Sequence, residues 1–145
     1  TYTDPEGRFS VTVPSGWKAV AVGADAVSIQ RGATYTQLAI GPDAEGPQAV
    51  VTALLQQIAR QWSQLRAGNS QPVTLGGHAG FYQMATGLNP KGVPARVYVA
   101  AAPLAVGTAI ALITAVPEAE FEQNKDGLAL VQLSLRLRND GGAGQ

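Results

Sequence analysis

His78 is the only histidine of the chain, and the chain has no cysteine. A Ser-His-Asp constellation would have to pass through His78, with a serine and Asp126 or Asp25 brought beside it by the fold. The sequence contains no Gly-x-Ser-x-Gly elbow to present such a serine. A histidine between Gly77 and Ala79 reads more simply as a turn residue. One histidine and no cysteine restrict any metal site to oxygen ligands. Glu118, Glu120 and Glu122 alternate by two, which aims them to different sides of a helix. Asp4 and Glu6 are the other acidic pair able to bind calcium, but turn formation also accounts for Asp4. Gly76-Gly77-His78-Ala79-Gly80 is not followed by a Lys-Ser or Lys-Thr pair, so it reads as a turn and not a phosphate loop. Tyr35, Tyr82 and Tyr98 offer aromatic walls for a groove, or filling for a sheet–helix interface. On these grounds no catalytic, cofactor-binding or metal residue is assigned, and the chain is expected not to be an enzyme.

Composition narrows the field further. Ten basic and ten acidic residues give a formal net charge of zero over 145 residues, which argues against a nucleic-acid footprint. Charged residues make up 14% against the usual ~25%, so the surface is rather neutral and suited to packing beside a partner or a neighbouring domain. The missing cysteine excludes disulfides and thiolate chemistry, and it fits an extracytoplasmic protein. Thr1 in place of an initiator methionine points to a processed or trimmed chain whose signal peptide has been removed. Val97 to Val116 carries no charge, and about 20 such residues can span a membrane as a helix. Pro103 and Gly107 sit centrally and Arg96 abuts the start, so two buried strands joined by a turn explain the run better.

The elements that must position these residues follow from periodicity. Alternation predicts strands at Arg8–Val13, Trp17–Val22, Ala26–Gln30 and Tyr35–Ile40, with turns between them. Val51, Leu54, Leu55, Ile58, Trp62 and Leu65 then recur at helical steps. They predict an amphipathic helix that opens at Pro47, ends at Gly68-Asn69 and buries Trp62 as its largest group. Strands resume at Pro72–Leu75, Phe81–Thr86, Ala95–Ala101 and Thr108–Ala115. A closing helix begins at Pro117, with acidic residues in its first turns and Arg136 and Arg138 at its end. Gly127 weakens its middle by up to ~1 kcal/mol. Residues 1–138 are expected to form one domain and 139–145 a flexible, glycine-rich tail. Two apolar stripes and short links imply an α+β fold of α/β/α sandwich type. Its central, mostly antiparallel sheet has about six to eight strands, covered by two main helices.

Three segments carry a resemblance. They are Asp4-Pro5-Glu6-Gly7-Arg8-Phe9-Ser10-Val11-Thr12-Val13-Pro14-Ser15-Gly16-Trp17, Val73-Thr74-Leu75-Gly76-Gly77-His78-Ala79-Gly80-Phe81, and the closing helix from Phe121 through Leu128 and Val131 to Leu133-Ser134-Leu135-Arg136. In order and spacing the chain resembles the Mog1/PsbP-like fold family. That family includes the PsbP-type extrinsic proteins of photosystem II, Mog1-type Ran-binding proteins and many bacterial domains. The resemblance implies a fold and a binding or accessory role. Bacterial relatives are often secreted, or appended to larger extracytoplasmic proteins such as metalloproteases. It carries over no photosystem or Ran-binding residue. The expectation is therefore a non-catalytic, periplasmic or secreted domain that binds an unidentified protein partner or neighbouring domain, with no cofactor, nucleic acid or membrane span. The alternatives are a carrier of a small apolar ligand in a cleft between sheet and helix, and a small hydrolase using His78.

Overall fold

A computed structural model describes residues 1–42, 45–105 and 107–138. The tail expected over 139–145 lies outside the described residues. Eleven strands and two helices run in the order β1 (Tyr2–Thr3), β2 (Phe9–Val11), β3 (Lys18–Ala21), β4 (Ala26–Arg31), β5 (Thr34–Pro42), α1 (Pro47–Gln61), β6 (Ser63–Ala67), β7 (Gln71–Leu75), β8 (His78–Leu88), β9 (Pro94–Pro103), β10 (Thr108–Pro117), α2 (Phe121–Ser134) and β11 (Arg136–Leu137), among the described residues. A 3-10 turn, Glu118–Glu120, leads into α2. The main sheet has eight antiparallel strands in the order β3-β4-β5-β10-β9-β8, with β6 and β7 both paired to β8. A second, small sheet, β1-β2-β11, joins the two ends of the described chain.

Alternation along the central strands divides two cores. Ala100 and Ala102 of β9, with Ile110 and Leu112 of β10, face the core that holds Val131 and Leu135. Val97, Val99 and Ala101 face the opposite core, under Val51 and Leu55 of α1. Strands covered on both faces need apolar residues at every position, which is why Val97–Val116 lacks charge. That run is the β9–β10 hairpin. No helix among the described residues is long and apolar enough to cross a membrane. The observed layers are those of an α+β, α/β/α sandwich.

The first helix is shorter than its periodicity predicts. It stops at Gln61, Trp62 is extended at φ −96° and ψ 153°, and the Trp62 amide closes the last turn on the Ile58 carbonyl. Ser63–Ala67 then pairs with β8 across a bulge, with Gln64 at φ 56°. Leu65 therefore reaches the α1-side core from a strand, and Trp62 is half-buried against that core rather than deeply enclosed. Ser63, Arg66 and Ala67 find sheet partners along β8, which outweighs another turn of helix there. At the second helix, the segment after Pro117 starts as a 3-10 turn, so Glu118 and Glu120 precede α2 and only Glu122 lies in its first turn.

Candidate functional site

The side of the sheet under α2 carries an open cleft. Met84 of β8, Arg96 and Tyr98 of β9, and Thr114 and Val116 of β10 form its floor. Phe121, Leu128, Ala129 and Gln132 of α2 form its wall. The wall residues recur at i, i+7, i+8 and i+11, a single stripe of the helix. Ala129 keeps the wall low, and about 170 Å³ is left empty between helix and sheet.

Polar groups are few and placed at the edges of this space. The Arg96 guanidinium lies 3.9 Å above the centre of the Phe121 ring, a cation–π arrangement that fixes its plane. Its Nε donates to Glu118 Oε2 at 2.8 Å, and this bond raises the Arg96 pKa above its already high ordinary value. Gln132 Nε2 donates to the Tyr98 hydroxyl at 3.1 Å. Tyr98 also stacks on Tyr82, with ring centroids 5.1 Å apart. Burial pushes the Tyr98 phenol above its ordinary 10.0, so the hydroxyl is protonated at neutral pH. Thr114 is occupied by a 2.8 Å bond to the Thr36 hydroxyl. Met84, 47% exposed, stands at the mouth. Leu130 and Leu133 on the outer side of α2 are 42% and 77% exposed.

The residues considered for other chemistry are dispersed. His78 opens β8, and its Nδ1 lies 2.7 Å from the Pro103 carbonyl oxygen, which pins the β7–β8 turn to the end of β9. Asp25 instead pairs with Arg8 at 3.0 Å, and Asp126 is an exposed residue of α2. Asp4 is buried and spends both carboxylate oxygens on Arg8, which donates to them from Nε at 2.6 Å and Nη2 at 2.9 Å. Glu120 Oε1 accepts bonds from the Ala33 amide and the Thr34 hydroxyl, holding the β4–β5 turn against the start of α2. Glu122 pairs with Lys125 at 2.9 Å. Among the described residues no three acidic or histidine side chains converge as a metal site. Tyr82 and Tyr98 share the α2 side, but Tyr35 lies on the other face, near Trp62 and Gln61. Of the three tyrosines that the sequence offered as groove walls or interface filling, only Tyr82 and Tyr98 are brought together.

Arg96, Gln132 and Met84 are the cleft residues that sequence reasoning missed. Arg96 drew notice only as the charge flanking an apolar run. A cation at the start of a strand otherwise buried on both faces, and an amide on the inner stripe of a helix, were the available signals.

No family model matches the chain, and no curated protein sequence matches it. Solved structures do. Cyanobacterial PsbP from Synechocystis sp. PCC 6803 aligns with a TM-score of 0.67 at 14% identity, over 94% of this chain and 91% of that one. The Saccharomyces cerevisiae Ran-binding protein Mog1p aligns at 0.65 and 13%, over 97% and 95%. LpqN of Mycobacterium tuberculosis, involved in cell envelope biogenesis, aligns at 0.65 and 12%, over 90% and 83%. At these identities the likeness speaks for architecture alone. The eight-stranded antiparallel sheet, its two covering helices and these alignments together give the chain a Mog1/PsbP-like fold.

Proposed function

We propose that residues 1–138 form one non-catalytic, extracytoplasmic binding domain that engages a protein partner through the α2 side. The observation that carries this reading is the solvent-facing pair Leu130 and Leu133, one helical turn apart on the outer side of α2. Large apolar side chains grouped in solvent are the usual mark of a contact surface. The cysteine-free composition and the involvement of LpqN in cell envelope biogenesis support an extracytoplasmic setting, and the Ran binding of Mog1p supports a protein partner. The test is affinity capture from the extracytoplasmic fraction with the natural chain and with a Leu130→Asp/Leu133→Asp variant. A partner retained by the first and lost by the second supports the proposal. Capture of the same proteins by both, or of none by either, defeats it.

The cleft itself favours a second reading, carriage of a small apolar ligand. It is concave, mostly carbon-lined and bordered by a few polar groups, the usual make-up of a ligand site. Native mass spectrometry after gentle purification should show an added mass, and a clean apo mass counts against this reading.

A further inference from the structure

We propose that the α2 cleft binds a small carboxylate with a ring-sized apolar body, the body against Met84, Leu128 and Ala129 and the carboxylate at Arg96. This rests on the ligand-carrier reading above and names the ligand class. Of the groups that border the cleft, Arg96 is the sole charged one. Its Nε edge is taken by Glu118 and its face by Phe121. Its terminal nitrogens make no hydrogen bond among the described residues. A guanidinium held flat, with its outer edge free, is preorganised for a carboxylate.

The second polar group has matching chemistry. Tyr98 accepts from Gln132, and no acceptor for its own proton is present among the described residues. It is therefore a donor facing the cleft, whereas Thr114 is already committed to Thr36. Spare donors and one positive charge beside an apolar floor select a ligand that is apolar at one end and an anionic acceptor at the other. Size limits the apolar end. An apolar cavity of ~150 Å³ admits benzene, and the cleft holds about 170 Å³. The Met84 thioether at the mouth favours an aromatic body in particular. Glu118 opposes the ligand charge, but it is well exposed and lies at the other edge of the guanidinium.

The experiment is a backbone-amide NMR titration of the full chain with 3-phenylpropionate and with its neutral counterpart, 3-phenylpropan-1-ol. Both should shift resonances of 84, 96–98 and 128–132, with the carboxylate bound about tenfold more tightly. Arg96→Gln should remove that advantage and leave the alcohol's affinity unchanged. Glu118→Gln, at an exposed position, should tighten the carboxylate a few-fold and not the alcohol. This second variant keeps the test open if the first folds poorly. Ala129→Phe, which fills the cleft from an exposed helix position, should abolish both. Equal binding of acid and alcohol, or an advantage that survives Arg96→Gln, overturns carboxylate recognition while leaving the cleft as a ligand site. Binding of neither probe, or unaltered binding to Ala129→Phe, overturns the cleft reading as well.

Discussion

Position 127 sets helix propensity against packing. Alanine there would favour the helix by up to ~1 kcal/mol. A Cβ, however, would stand 2.6 Å from Cζ2 of Trp17, so the indole edge already occupies the space. Trp17 is delivered by a turn in which its amide donates to the Pro14 carbonyl at 3.0 Å. The sequence showed Pro14-Ser15-Gly16-Trp17 as a turn with an aromatic anchor. It did not show what the anchor meets, because a contact between distant segments leaves no local period. Overpacking typically costs ~1–3 kcal/mol, so Gly127→Ala should destabilise by about 1–2 kcal/mol net. Denaturant unfolding followed by tryptophan fluorescence checks this, and a more stable variant would contradict the packing. Asp4 offers a pH-dependent counterpart. The Arg8 side-chain hydrogen bond is the largest influence on its carboxyl and, despite burial, holds it below the ordinary 3.8. A carboxyl whose folded pKa is depressed stabilises the protein above its unfolded pKa, and the contribution fades as pH falls through the folded value. Asp4→Asn should therefore lower the melting temperature at pH 7, with the deficit shrinking as pH falls below the ordinary 3.8 toward the depressed folded value. A deficit independent of pH would show that the ion pair is not its source.

Elements were legible where one period ran unopposed and illegible where two periods overlapped. Val51, Leu54, Leu55 and Ile58 fit only a helix, and α1 holds them. Trp62 and Leu65 continue the same three- and four-residue steps, yet they belong to the turn into β6 and to β6 itself. A spacing of three is compatible with a helix, and also with a strand whose alternation is broken by a bulge, as at Gln64. The missed signal lay on the partner strand. At Gly87 a Cβ would stand 3.0 Å from both the Leu65 Cα and the Ser63 carbonyl oxygen. Glycine inside a strand often marks such an approach of another backbone. The candidate cleft was half legible for a related reason. Tyr82 and Tyr98 fall on one face because their strands pair in register, whereas Tyr35, one residue out of phase with Leu38 and Ile40 on β5, faces the other way. Since backbone atoms, not a movable side-chain end, obstruct position 87, Gly87→Ala should cost about 1–3 kcal/mol. Its effect should centre on β6, as faster hydrogen exchange at 65–67 relative to β9. Unchanged stability and exchange would mean that β6 does not sit this close to β8.

At the scale of the molecule, the sheet acts as a partition. Two amphipathic stripes and one charge-free run sufficed to read a sheet covered on both faces. The small sheet escaped that reading, because pairing Arg136-Leu137 with Phe9-Ser10 joins opposite ends of the chain through β11, a two-residue strand that carries no periodic signal. Its consequence is that Phe9 and Val11 enter the α2-side core with Val131 and Leu135, while the α1-side core around Val51 and Leu55 remains separate. Substitutions in contact share relaxation and couple, whereas independent sites add. Val51 and Val131 are both fully buried, on opposite faces of the sheet. Truncating either to alanine should cost about 2 kcal/mol. The Val51→Ala/Val131→Ala pair should then add to within ~0.5 kcal/mol. Val11→Ala with Val131→Ala, both in one core, should depart from additivity by ~0.5–3 kcal/mol. Double-mutant cycles by denaturant unfolding separate the cases. Strong coupling across the sheet, or strict additivity within the α2-side core, would show that the two faces do not pack as independent cores, because a cavity on one side would then be relaxed by movement of the sheet as a whole.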